Sequence, residues 1–231
     1  MKKSRKTGIY WGLLSTLAAL SLTSCIKEDR DDCVTEPPVT ESSVTLQFRY
    51  TYNVTEGDAF GREADRVQVW VFDENGNYLS TQQEENENIN NGFTMDMSDL
   101  APGTYTFVAW AQETDNQDNL SNFTFPELTA GTSTLTDLHA RLNREENICH
   151  TELNGLLCGT VEGEVTGGED VFTVDMMKCT NKLRIILMPY RAGQQLQAED
   201  YHFVIDGHNG WLDYKGDTYE EDPLAYEPYL Q

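Results

Sequence analysis

The chain has 231 residues, with 16 basic against 39 acidic side chains and a formal net charge of -23. That length allows one or two domains with a sizeable core. The charge repels phosphate backbones and anionic headgroups, which argues against nucleic acid as a partner and against simple adsorption on an acidic membrane surface.

Residues 1–24 hold Lys2, Lys3, Arg5 and Lys6 and no acidic residue, so their removal would leave -27. The basic start is followed by an uncharged, mostly apolar run of 14 residues from Ile9 to Leu22. A membrane-crossing helix needs about 20 residues. Basic, short apolar and small-residue regions in that order make a secretory signal. The signal ends Leu22-Thr23-Ser24-Cys25, which looks like the lipobox of bacterial lipoproteins. That resemblance implies cleavage between Ser24 and Cys25 and acylation of the Cys25 thiol and its new amino group. Two or more acyl chains hold a protein firmly where one is marginal. The charged run Lys27–Asp32 and Pro37-Pro38 extend to about residue 42 as a solvated, semi-rigid tether. Lysine and acidic residues just after the cysteine are similar to the export signal of surface-displayed lipoproteins.

The folded region is expected from residue 43. Val44, Leu46, Phe48 and Tyr50 alternate with polar residues and predict a half-buried strand. "RVQVWVFDENGNYLS" predicts a hairpin turning at Asn75-Gly76, and "FTMDM" a short strand from Phe93 to Met97. Pro102-Gly103 feeds a strand from Thr104 to Ala111. Tyr105, Phe107, Ala109 and Ala111 share one face and Val108 and Trp110 load the other, which predicts a central strand. Gln112 to Phe123 is polar loop. Leu135, Leu138 and Leu142 have helical spacing in a segment too short to decide. Strand character returns at Leu156–Val161, Val171–Met176 and Leu183–Met188. "YHFVIDGHNGWLDY" predicts a strand, a Gly-rich turn and a partner strand, and "PLAYEPYLQ" shows no strong closing strand. Short strands with frequent turns and no long helix predict an all-β sandwich.

"ADRVQVWVFDENGNYL", "LAPGTYTFVAWA", "MMKCTNKLRIIL" and "AEDYHFVIDGHNGWLDYKGD", in that order behind a lipobox, resemble the FimB-type fimbrial anchor lipoproteins. The resemblance covers residues 43–217. It implies tandem transthyretin-like β-sandwich domains at the base of a protease-processed, donor-strand pilus. The expected organisation is a signal peptide (1–24), a tether (25–42), a first sandwich (43–180) and the start of a second (181–231). About 50 residues after that boundary are fewer than the roughly 100 a sandwich usually takes, so the second domain is expected to be incomplete.

Cys33, Cys149, Cys158 and Cys179 remain once Cys25 is acylated. Four thiols allow three disulfide pairings, among them Cys149–Cys158 with Cys33–Cys179, and buried unpaired thiols are the alternative. His139, His150, His202 and His208 are scattered, no zinc-ligand spacing occurs, and neither Asp73–Asn77 nor Asp115–Asn119 fits a calcium loop. No metal, cofactor or catalytic residue is expected, and no enzyme.

Two functions remain. The first is an outer-membrane, surface-exposed lipoprotein that anchors a fimbria through β-strand addition with shaft subunits (fimbrillins). An anchor that keeps Val44–Tyr50 has its own groove filled and can only begin or end a fibre. Cleavage after Arg49 is therefore expected not to occur. The second is a surface module binding glycan or host protein through its loops, with Trp211, Tyr214 and Tyr219 as candidate contacts.

Overall fold

A computed structural model describes residues 43–55, 57–85, 89–97, 99–113, 122–219 and 222–229, all within the compact unit formed by residues 40–231. Ser24, Cys25 and Cys33, the signal, the tether and the acidic loop 114–121 lie outside the described residues.

Fourteen strands are present among the described residues. They are β1 (Ser43–Arg49), β2 (Arg66–Asp73), β3 (Tyr78–Glu85), β4 (Thr94–Met97), β5 (Gly103–Gln112), β6 (Phe123–Thr124) and β7 (His139–Leu142). Then come β8 (Ile148–Cys149), β9 (Leu156–Val165), β10 (Glu169–Asp175), β11 (Met177–Lys178), β12 (Ile205–Gly207), β13 (Trp211–Asp213) and β14 (Leu224–Tyr226). A single-turn helix, α1 (Phe60–Glu63), had no sequence signal. The fold is all-β, as expected.

The main sheet has the order β11-β9-β5-β2-β3, with β5 at its centre. The double-sided apolar pattern of β2 and β5 has a direct cause: both faces of this sheet are covered. Val67, Val69, Val71, Phe107, Ala109 and Ala111 point into one core beneath the sheet β10-β1-β4. Trp70, Phe72, Val108 and Trp110 point into a second core. Small sheets of order β13-β7-β6 and β12-β14-β8 supply Leu142, Leu212 and Leu224 to that second core. The arrangement is thus three layers around two cores.

β10 crosses β9 where β9 carries Gly159. A Cβ there would stand 2.8 Å from the Asp175 carbonyl oxygen and 2.7 Å from the Met176 sulfur. Backbone cannot yield as a side-chain tip can, so overpacking governs the site. Gly159→Ala is expected to lower stability by about 1–3 kcal/mol. A shift in the urea midpoint without a change in slope would show it, and an unchanged midpoint would refute the close approach.

The hairpin turn at Asn75-Gly76 is present. Asp73 Oδ1 accepts backbone N–H bonds from Asn75 (2.9 Å) and Asn77 (2.8 Å), and Gly76 has φ +76°. The Asn77 side chain and these backbone donors hold the Asp73 carboxyl below its ordinary value. "DYKGD" repeats the device. Asp213 Oδ1 accepts from Lys215 (2.8 Å) and Asp217 (3.0 Å), with Gly216 at φ +84°.

Four segments differ from expectation. The undecided Leu135–Leu142 stretch is a 3-10 turn (Leu135–Asp137) running into β7, because Leu138, Ala140 and Leu142 are buried beside Trp110. β12 and β13 do not pair with each other. β12 joins β14 and β13 joins β7, antiparallel in both cases. The weak tail "PLAY" does form a strand, β14, parallel to β8. Its alternation was masked because only Leu224 of the three residues is fully buried. Leu183–Met188 is not a strand: the residues are exposed and pair with none of the described strands.

Within residues 205–226, β12 pairs with β14, β13 with β7 and β14 with β8.

Candidate functional site

Two features of the body bear on assembly: the way β1 is held, and the segment that leaves β11. β1 lies in the middle of its sheet. It pairs with β10 in parallel, from Ser43↔Glu169 to Arg49↔Asp175, and with β4 antiparallel. Val44, Leu46 and Phe48 are fully buried. The Phe48 ring packs on Phe60 (5.6 Å) and Phe93 (5.7 Å), which also meet each other at 6.4 Å.

The Arg49–Tyr50 peptide is fastened on both sides. Arg49 donates through Nε and Nη2 to both carboxylate oxygens of Asp175, and its carbonyl accepts from Met176 N–H at 2.8 Å. Tyr50 N–H donates to Asp58 Oδ1 at 2.9 Å, and the Tyr50 carbonyl accepts from Ala59 N–H at 2.9 Å. The Arg49 hydrogen bond lowers the Asp175 carboxyl below its ordinary value. A protease must straighten the chain to cut it, and each of these bonds resists that.

Beyond β11 the chain is tied once more, where Leu156 N–H donates to the buried Thr180 hydroxyl at 3.1 Å. It then runs exposed through "NKLRIILMPY". Leu183 is 70% exposed, Ile186 71%, Met188 81% and Tyr190 95%, far above what isolated surface residues of a folded body need.

The aromatic residues considered for ligand contact are engaged within the protein. Trp211 packs on Tyr219 (4.8 Å) and His139 (5.0 Å), with the Arg141 guanidinium 5.7 Å from its ring. Tyr214 lies against the second core. Trp211 and Tyr214 are thus partly covered, and Tyr219 remains exposed.

Cys149, Cys158 and Cys179 carry free thiols, at β8, on β9 and after β11. Cys149 and Cys158 are both buried in the second core. Cys158 and Cys179 converge on Gly216, whose Cβ position lies 3.7 Å and 3.3 Å from their sulfurs. Burial pushes the Cys158 thiol well above its ordinary value and the Cys179 thiol up to about 12. Burial, with Cys149 nearby, raises the Tyr226 phenol to about 12. Groups raised on folding stabilise fully below their unfolded values of 9.0 and 10.0 and lose that contribution as pH climbs to about 12. Stability is thus expected to fall between pH 9 and 12, read from urea midpoints. A Cys158→Ser/Cys179→Ser/Tyr226→Phe chain with an equally steep fall would refute that origin.

Among the described residues no group of three or more His, Cys, Asp or Glu is placed to hold a metal ion, and no helix is long and apolar enough to cross a membrane.

The described residues form an all-β body with two apolar cores, in which β1 is paired along both edges. A family model described as fimbrillin-A associated anchor proteins Mfa1 and Mfa2 matches residues 31–231, and the chain belongs to that family. Among solved structures, it is similar to a candidate polysaccharide-binding protein of Bacteroides thetaiotaomicron, at 29% identity and TM-score 0.70, covering 82% of this chain and 66% of that one. A candidate adhesin of the same organism matches at 28% identity and TM-score 0.72, covering 84% and 65%. The fimbrial anchor protein Mfa2 of Porphyromonas gingivalis shares the fold, at 16% identity and TM-score 0.60, covering 80% and 65%. The chain spans slightly less than two thirds of the length of these proteins. No curated protein matches it.

Proposed function

We propose that this protein is a lipid-anchored outer-membrane lipoprotein that holds a fimbria at the cell surface and limits its growth. Acylated Cys25 supplies the anchor and shaft subunits are the partners. The observation that carries the reading is the embedding of β1. Its edges are paired with β10 and β4, and its inward side chains fill the first core. A subunit joined by strand addition needs an open groove to receive the next strand. Here that groove is occupied by the chain's own β1, which also connects the body to the tether. Cutting after Arg49 would free the groove and lose the lipid at once. The protein therefore terminates the fibre instead of extending it.

The test is a pull-down from outer membranes with C-terminally tagged full chain, with mass spectrometry of bait and prey. Shaft subunits recovered with a bait acylated at Cys25 support the reading. A surface fragment beginning at Tyr50 after protease treatment sinks it. The glycan or host-protein reading is favoured instead if the bait is lipidated, solitary and retained on a glycan array. The packing of Trp211 between His139, Tyr219 and Arg141 weighs against it.

A further inference from the structure

One edge of the main sheet brings two thiols together. β11 pairs antiparallel with β9 in the register Met177↔Cys158. The ladder continues past β11, where Cys179 N–H donates to the Leu156 carbonyl at 2.8 Å and Leu156 N–H to the Thr180 hydroxyl at 3.1 Å. Residues two apart on a strand share a face, so Cys158 and Cys179 stand on the same side of the sheet as diagonal neighbours. Their sulfurs converge on one point. A Cβ on Gly216 would lie 3.3 Å from the Cys179 Sγ and 3.7 Å from the Cys158 Sγ. Glycine, here at φ +84°, leaves that point unfilled.

The third described thiol, Cys149, turns elsewhere. Its sulfur lies 3.8 Å from the Thr151 carbonyl oxygen, and the group it perturbs is the Tyr226 phenol. The Cys158 thiol instead feels Cys179, and the Cys179 thiol feels the Cys158 backbone. In the reduced chain each of these two sulfurs has only a weak partner. Cys158 donates to the Tyr214 carbonyl at 3.5 Å and Cys179 to the Met177 carbonyl at 3.8 Å. Diagonal neighbours stand about 7–8 Å apart, and the Cα atoms of a disulfide at most about 6.8 Å, so closure asks for a shift of about 1 Å. β11 is able to supply it, because it is two residues long and pairs on one side only, at the end of its sheet.

We propose that Cys158 and Cys179 form a disulfide when the chain meets a disulfide oxidant. One thiolate attacks the S–S bond of the oxidant, giving a mixed disulfide and releasing one small thiol. The second thiolate attacks the protein sulfur of that mixed disulfide and releases the other small thiol. Two cysteines are oxidised, the oxidant is reduced, and the two protons leave on the two released thiols. Disulfides persist in exported proteins, so occupancy in the cell rests on the export in the reading above; the pairing itself does not. The consequence reaches β1. The loop closed by the bond, residues 158–179, contains β10, which pairs with the whole of β1 and carries Asp175, the partner of Arg49. The bond keeps β10 from fraying away from β9, and so keeps β1 in its groove.

Reduced full chain would be equilibrated in glutathione buffers from reducing to oxidising, trapped with iodoacetamide and mapped by mass spectrometry without further reduction. The expected product is a cross-linked peptide pair joining Cys158 to Cys179, with Cys149 alkylated. The oxidised chain should melt roughly 5–10 °C above the reduced chain, as closing a loop of this size supplies. Cys149→Ser should leave both results unchanged, and Cys179→Ser should abolish the bond and the gain. The wild-type titration decides the pairing by itself, so a variant that folds poorly cannot hide the answer.

Alkylated or singly glutathionylated Cys158 and Cys179 in folded chain at the oxidising end overturn the proposal. So does a bond from either of them to Cys25, Cys33 or Cys149. Chain taken from outer membranes separates this inference from the reading it rests on. A Cys158–Cys179 bond that forms in glutathione but is absent from the cellular chain leaves the pairing standing and counts against export to an oxidising compartment.

Discussion

A chain that begins at Tyr50 should not fold. β1 places Val44, Leu46 and Phe48 in the first core, each at most 1% exposed. Burying three such side chains contributes roughly 5–9 kcal/mol, at about 1.5–3 kcal/mol each. A whole domain is stable by only about 5–15 kcal/mol. Removal also strips β10 and β4 of the strand between them and leaves Phe60 and Phe93 facing a void. Circular dichroism and urea unfolding of residues 50–231 beside 43–231 would check this. The shorter chain should show no cooperative transition, and adding a peptide of residues 43–49 should restore one. If residues 50–231 unfolded cooperatively near the same midpoint, β1 would be dispensable and its retention would say nothing about termination. The point is functional as well as structural. The element that completes the fold is the one that leads back to the tether, so the body cannot detach from it and remain whole.

The sequence carried most of the main sheet and missed the way the chain closes. β1, β2 and β5 were legible because each is long and their burial has period 2, on one face for β1 and on both for β2 and β5. The central position of β5 followed from Val108 and Trp110 opposing Phe107 and Ala109. β13 and β14 were harder because each is three residues long, and their partners, β7 and β8, lie 70 or more residues earlier in the chain. No local pattern specifies pairing at that separation. Leu183–Met188 misled in the opposite sense. Its alternation is that of a real strand, but alternation reports what a segment would bury, not whether a partner is at hand. The free thiols show the same limit. Sequence spacing left three pairings and unpaired thiols open, and the register Met177↔Cys158 brings Cys179 beside Cys158. For the site, the half-buried alternation of Val44, Leu46, Phe48 and Tyr50 was readable in advance. The hydrogen bonds that fasten the Arg49–Tyr50 peptide depend on Asp58, Asp175 and Met176, which only the fold assembles.

Arg144→Ala is expected to cost about 3–5 kcal/mol, the range for removing one partner of a buried ion pair. Arg144 sits between β7 and β8, and Asp222 lies two residues before β14. Their side chains are 8% and 12% exposed. Arg144 Nη1 donates to Asp222 Oδ2 at 3.0 Å, Nη2 donates to Oδ1, and Nε donates to the Glu146 carbonyl at 3.1 Å. The guanidinium lies where a side chain on residue 210 would be. A Cβ on Gly210 would fall 2.0 Å from Nη1, which is why the turn between β12 and β13 is glycine there. The pair as a whole need not stabilise the fold, since desolvating two charges offsets their attraction. Its loss on one side is another matter, because the Asp222 carboxylate stays behind with its partner gone. Three measurements separate these terms. Arg144→Ala should lower the urea midpoint sharply. Arg144→Lys should recover only part of the loss, since an ammonium cannot make the forked contact. Arg144→Ala with Asp222→Ala should be less damaging than Arg144→Ala alone, because no charge is stranded. Amide exchange should quicken first at Ala225 and Glu227, whose N–H groups donate to the carbonyls of Asn147 and Cys149. Additive losses in the double variant would mean that the two side chains act independently. The return of residues 222–229 to the β7–β8 region would then depend on Leu224 and the backbone ladder alone.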